Sequence, residues 1–368
     1  VINNSKGRCL TVSPFFYDLN IAMKSLADQL KDRGHYVVSY LMFCVSDDTS
    51  LPYRSAVMVE DNITMVRDAL QKNKNIVFTS WEHDEFLRYE YANFVGFERI
   101  LGPYYNTNRW AVSVPTFGHT TYGARQVSNL DFFVYVNGFN KQYSSSELDH
   151  SHKTKDFLYL NGKPHSHRVR LLNTLSNTTL LDNSLWSASC PSQGWGDKEK
   201  KLDEEYELPE WRGLAVDGYD DSTRRVHYPQ YNTTICSLIP ETLATNDFHY
   251  ITEKTCKPLM AEHLFVVLAG RGYLRNLRSL GFRTFHDVFD ESYDECADID
   301  LRINKIVSTL EQIKKIDPLS LYQETKDIRR HNRELFFDDK FYAEFNANQV
   351  KRLESFFAKT DVQESLDQ

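Results

Sequence analysis

The sequence predicts an α/β protein made of two doubly wound domains that face each other across a cleft, with helices at the C-terminal end. Three observations lead there. A strand–helix–strand pattern opens the chain, a second strand–helix alternation fills residues 231–290, and a polar stretch without apolar period, 138–156, lies between them. The 368 residues suffice for two domains, and 41% hydrophobic with 26% charged residues is a globular composition.

The elements follow in order. Residues 8–13, RCLTVS, read as a short buried strand stopped by Pro14. Ile21, Ala22, Leu26, Ala27 and Leu30 recur at helical spacing, and Gly34 ends that helix. YVVSYLMF, residues 36–43, is rich in β-branched and aromatic side chains and reads as a second strand. Residues 61–72 read as a helix and 76–80 as the next strand. Such alternation implies parallel pairing through right-handed crossovers.

Trp81, Glu82, His83 and Asp84 follow that strand directly. Sites in open α/β sheets lie at the carboxyl ends of strands. Glu82 is therefore the candidate general base, with His83 and Asp84 beside it as alternatives. The same acids also suit the first turn of a helix. Residues 100–130, punctuated by Gly and Pro, read as loops and short strands lining a cleft, with His119 and Arg125 as candidate ligand contacts. DFFVYVN, 131–137, reads as the last strand of this half.

In the second half, FLYLN at 157–161 starts a new sheet, GKPHSHR forms a loop and VRLLNTL a helix. A strand, a tight loop and a helix N-terminus make an anion site, because free backbone N–H groups point at the ligand. Lys163, His165, His167 and Arg168 add basic groups there. Residues 190–225 read as a charged excursion. Then come a strand ending at Glu241, a loop, a helix over ITEKTCKPLMAEH with Thr252 as its cap, a strand over LFVVLAG, a helix ended by Gly281 and a last strand over FRTFHDVFD. Amphipathic helices fill 295–368, and the DID at 298–300 reads as a helix cap and not as a metal motif.

The segment ETLATNDFHYITEKTCKPLMAEHLFVVLAG resembles the nucleotide-sugar site of fucosyltransferase-like glycosyltransferases of the GT-B fold. In that family a Glu ends a strand and an (I/S)-(T/S)-E-K motif opens a helix beneath the donor; here these are Glu241 and Ile251, Thr252, Glu253 and Lys254. FLYLNGKPHSHRVRLL is similar to the basic loop that opens the donor domain of related bacterial and viral enzymes, so the resemblance spans roughly 157–290. It implies that Lys254 contacts donor phosphate and that the acidic residues contact ribose or sugar hydroxyls. Lys163, His167, Arg168, Glu241, Thr252, Glu253 and Lys254 form the implied donor set. Where the family has an ENS-type sequence and an aliphatic run, this chain has PETLATND and TCKPLMAEH, with an extra Lys257; these departures bear on which base and sugar fit.

The resemblance implies two Rossmann-like domains, with residues 1–145 on the acceptor side, 146–335 holding the donor and 336–368 bracing. It implies a UDP- or GDP-sugar as substrate and no metal cofactor. The acceptor is expected to be a glycan. The alternatives are hydroxymethylated DNA, as in phage-type enzymes, or no acceptor at all in a protein that only binds nucleotide sugars. A net charge of −8 weighs against binding nucleic acid through bulk electrostatics. The six cysteines include no CxxC pair, which fits reduced thiols. No apolar run approaches membrane-span length and VINNSKGR lacks a signal-peptide core, so a cytoplasmic chain is expected.

Overall fold

The computed structural model describes residues 26–39, 43–45, 56–58, 60–79, 100–114, 116–118, 123–130, 133, 136, 137, 140, 148–161, 165–188, 226, 228–244 and 248–364. The expected strand at 8–13, the Glu82-His83-Asp84 cluster, His119, Lys163 and the 190–225 excursion lie outside these residues. The chain divides into two compact α/β units, Val1–Gly138 with Asp339–Gln368, and Phe139–Asp338.

In the first unit, helix α1 (Leu26–Asp32) leads into strand β1 (Tyr36–Ser39), a short antiparallel pair β2 (Phe43–Val45) and β3 (Ala56–Met58), helix α2 (Glu60–Gln71) and strand β4 (Ile76–Thr79). Strands β5 (Trp110–Val114), β6 (Thr116–Gly118) and β7 (Gln126–Ser128) follow. Four of them form a parallel sheet in the order β1-β4-β5-β7. Gly34 takes a φ of 86°, the left-handed conformation that ends α1 and lets the chain enter β1.

Side chains alternate across each strand, so both faces of this sheet are covered. Val38, Phe78 and Val112 pack under α2 and the turn at Ile100–Leu101. Val37, Val77 and Ala111 pack under α1 and, from the far end of the sequence, under Val350, Leu353 and Phe357. An ion pair of 2.7 Å between Arg33 and Glu354 ties the rims of those two helices.

Within 100–130, expected as loops and short strands, Trp110–Val114 is a wholly buried strand between β4 and β7. One expectation is corrected: the described residues of the 131–137 segment, Phe133, Val136 and Asn137, are helical and not extended, and with Asn140 they are buried at the spacing of one helix face. The guanidinium of Arg125, expected as a ligand contact, lies 4.8 Å from the Trp110 ring centroid and donates to the Tyr105 carbonyl.

The second unit holds β8 (Lys155–Asn161), α3 (Ser166–Ser176), β9 (Leu185–Ala188), α4 (Tyr228–Thr233), β10 (Thr234–Pro240), β11 (Phe248–Tyr250), α5 (Glu253–Met260), β12 (Leu264–Leu268) and α6 (Tyr273–Ser279). Helices α7 (Ile299–Ile313), α8 (Pro318–Glu324) and α9 (Lys326–Phe337) complete it, and α10 (Asp339–Glu364) belongs to the first unit. Its sheet is parallel, in the order β12-β10-β8-β9. From β8 the chain moves one way to β9, then returns past β8 to β10 and on to β12. Right-handed crossovers in opposite directions put α3 and α5 on opposite faces.

FRTFHDVFD, expected as a strand, forms none. The backbone N–H and C=O of Arg283 are taken by the Asn332 side chain of α9, and Glu291 accepts from Phe285 N and Thr284 Oγ1. Those backbone groups, satisfied by side chains, are withheld from a strand ladder. Asp298 caps α7, its carboxylate accepting from Leu301 N at 2.7 Å, as the cap reading of DID expects.

At the amino ends of β10 and β12, His263 is buried with Nε2–H donating to the Thr234 carbonyl and Nδ1 accepting from Ser237 Oγ. Burial pushes its pKa well below the ordinary value. An unfolded His takes up a proton near pH 6.5, and the folded one only far lower, so acid favours the unfolded chain. Stability should fall as pH drops from about 6.5, by up to about 1.4 kcal/mol per pH unit for such a group. Melting curves from pH 7.5 to 5 should show this decline, and His263→Gln should flatten it; an unchanged slope in the variant refutes the assignment.

Candidate functional site

Because the strand order reverses between β8 and β10, their carboxyl ends flank a topological switch point, where open α/β sheets bind ligands. Helix α3 begins there. Its N-cap, His165, has extended backbone (φ −67°, ψ 148°) and makes no side-chain cap hydrogen bond. The first-turn amides therefore rely on other acceptors, the condition that suits an anion.

The helix starts at Ser166, which turns His167 and Arg168 inward together with Leu171, Leu172 and Leu175. Of the four basic residues expected at this turn, His167 and Arg168 thus lie inside the unit. Arg168 is only 2% exposed. His167 is buried too, and its Nε2–H donates to the Glu241 carbonyl at 2.8 Å, across the switch point. Burial, with Arg168 beside it, pushes its pKa down to about 3, so it serves as a neutral strut.

Glu241 sits just beyond β10 and is fully buried. Its carboxyl oxygens accept from Thr242 N, Thr252 N, Thr252 Oγ1, Thr255 Oγ1 and Tyr273 OH, at 2.6–3.2 Å. The resemblance implied that such an acid touches ribose or sugar hydroxyls. Here its hydrogen bonds run to groups of the protein itself.

What it positions is the start of α5. Thr252 is the N-cap, and its hydroxyl accepts from Lys254 N at 3.2 Å. The Lys254 ammonium, on a side chain 23% exposed, meets Glu253 Oε1 at 2.6 Å. Burial opposes ionisation of Glu253, but Lys254 and Lys257 hold its carboxyl below the usual range. Lys257, one turn on, is pushed down to about 8 by burial, against the pull of Glu253.

Arg302 of α7 lies beneath the same end of the sheet. It is 3% exposed and donates to the carbonyls of Ala244, Ala269 and Cys296. It pins the segments that follow β10 and β12, and its charge, like those of Lys254 and Arg168, acts on His167. Sequence reading missed Thr255, Tyr273 and Arg302. Thr255 had a signal, standing three residues after the cap on the same side of the helix; Arg302 had none, being one cation in an amphipathic run.

Among the described residues, no group of three or more His, Cys, Asp or Glu side chains is placed to hold a metal ion. No described helix is long and apolar enough to cross a membrane. Cys236, Cys256 and Cys296 are free and buried.

No family model and no curated protein matches the chain. Among solved structures it is similar to a β-glucosyltransferase described as a DNA-modifying enzyme, solved with and without its substrate uridine diphosphoglucose. The likeness covers 89% of this chain and 99% of that one, at 10% identity and a TM-score of 0.30. That is too low to match site residues between the two.

Proposed function

We propose that the chain is a glycosyltransferase that moves a sugar from a UDP- or GDP-sugar to an acceptor hydroxyl, with the donor diphosphate at the switch point of the second unit. One observation carries this reading. Glu241 binds the first turn of α3 through its carbonyl and the N-cap of α5 through its carboxyl group, so a single residue holds two helix N-termini together. Two positive helix ends with Lys254 between acid and solvent suit two linked phosphates.

In the reaction, an acceptor oxygen attacks the anomeric carbon while the bond to the diphosphate breaks. The helix ends and Lys254 stabilise the charge that develops on the leaving group. In this reading no metal is needed for that task, and Glu82 takes the acceptor proton. A glycan is the proposed acceptor.

The test begins with calorimetric titration of UDP- and GDP-sugars, followed by transfer assays with glycan and hydroxymethylated DNA. Binding of one nucleotide sugar and transfer to a glycan support the proposal. Failure of both nucleotide series to bind overturns it; transfer to DNA alone replaces the acceptor. Lys254→Ala should weaken donor binding about 10- to 100-fold, the loss of one charge-assisted contact of about 1.5–3 kcal/mol. Unchanged affinity would remove Lys254 from the site.

A further inference from the structure

Asn161 is the last residue of β8 and stands at the switch point, directly before the loop into α3. It is 2% exposed. Its Nδ2 reaches back along the strand to the Tyr159 hydroxyl at 3.4 Å, and that hydroxyl donates to the Arg168 carbonyl. The amide's other polar atom is its oxygen. That oxygen, Asn161 Oδ1, is buried and has no hydrogen-bond partner.

A buried acceptor left unmade costs about 1–3 kcal/mol, and folded proteins leave few of them. A fully ionised phosphate cannot satisfy this one, because both groups then only accept. A hydroxyl or an N–H can. Two independent features therefore occur at this switch point: a helix N-terminus without a side-chain cap, which suits an anion, and a buried amide oxygen on the last residue of β8, which requires a donor.

We propose that Asn161 is a specificity residue: it accepts a hydrogen bond from a hydroxyl or N–H of the ligand whose phosphate lies on the N-terminus of α3. The ligand class is a phosphate ester bearing a hydrogen-bond donor close to the phosphate, such as a sugar or ribose hydroxyl, in preference to a bare anion. This rests on the donor-site reading above. A site built around a buried polar group rejects analogues that leave it unpaired, more strongly than apolar pockets reject a missing methylene.

The test compares inorganic pyrophosphate with UDP, GDP and their glucose and mannose esters, by calorimetry, on the wild type and two variants. Asn161→Leu removes the acceptor. It should leave pyrophosphate affinity within about twofold and lower that of the preferred nucleotide ligand about tenfold. Asn161→Asp keeps an acceptor at the same place. It should weaken every anion through its charge but preserve the wild-type ratio between nucleotide and pyrophosphate. If the Leu variant does not fold, as judged by circular dichroism, the ratio in the Asp variant carries the test, and a ratio reduced tenfold overturns the proposal. Equal losses for pyrophosphate and nucleotide in Asn161→Leu would place the amide nitrogen, and not the oxygen, against the phosphate, and also overturn it. No loss at all means that Asn161 is internal packing only. A wild type that binds none of these ligands sinks the donor-site reading itself, an outcome distinct from wild-type binding that Asn161→Leu leaves intact.

Discussion

Glu241→Leu should lower stability by about 3–5 kcal/mol, because it leaves several buried donors unpaired at once. For a unit of this size the melting temperature should drop on the order of 10 °C. The affected groups are the Thr252 amide and hydroxyl, the Thr242 amide, and the hydroxyls of Thr255 and Tyr273. Since Thr252 caps α5, the turn that carries Lys254 loosens and donor affinity should fall in parallel. Thr255→Val, which deletes one donor and keeps the shape, should cost only about 1 kcal/mol. Differential scanning calorimetry beside donor titration separates the roles. A variant that keeps its melting temperature and loses the donor would make Glu241 a direct ligand contact, against the positioning role argued here.

Glu82→Gln carries the largest expected effect on rate. Strand β4 ends at Thr79, so Glu82 follows a carboxyl end of the first unit's sheet by three residues. In the proposed reaction the acceptor hydroxyl must lose its proton as it attacks. Gln keeps the size of Glu and removes its basicity. Donor binding should be unchanged and transfer at least about a hundredfold slower, the lower end of a general-base contribution. Single-turnover measurements ensure that chemistry is what is timed. A wild-type rate would leave the cluster as helix capping and point to a reaction that retains configuration.

Much of the second unit was legible because its signals are local. Thr252 before an apolar-periodic run reads as a cap, and the structure has it accepting from Lys254 N. LFVVLAG and the helix closed by Gly281 were legible for the same reason. Illegible were features decided by distant partners. Phe133, Val136, Asn137 and Asn140 sit in a segment whose β-rich composition argues for a strand, yet their burial follows a helical period. FRTFHDVFD carries strand-like alternation, but Asn332, far along the chain, takes its backbone groups. In the site, the sequence indicates that Glu241 ends a strand. It cannot indicate that the carboxyl group turns inward, because that depends on Thr255 and Tyr273 being brought under it. The sequence offers His167 and Arg168 only as basic groups at a strand-to-helix turn; the phase of α3 makes them interior.

The first unit is written in two separated pieces, and this bears on the order in which the chain can be finished during translation. Domains fold as units and as they emerge from the ribosome. Residues 139–338 are contiguous, so the second unit is complete once Asp338 has left the exit tunnel. The first unit, although begun earlier, must wait for Val350, Leu353 and Phe357 to cover Leu26, Val37 and Val77. The unit made first is thus the last to close, and until then one face of its sheet stays open to whatever a nascent chain meets.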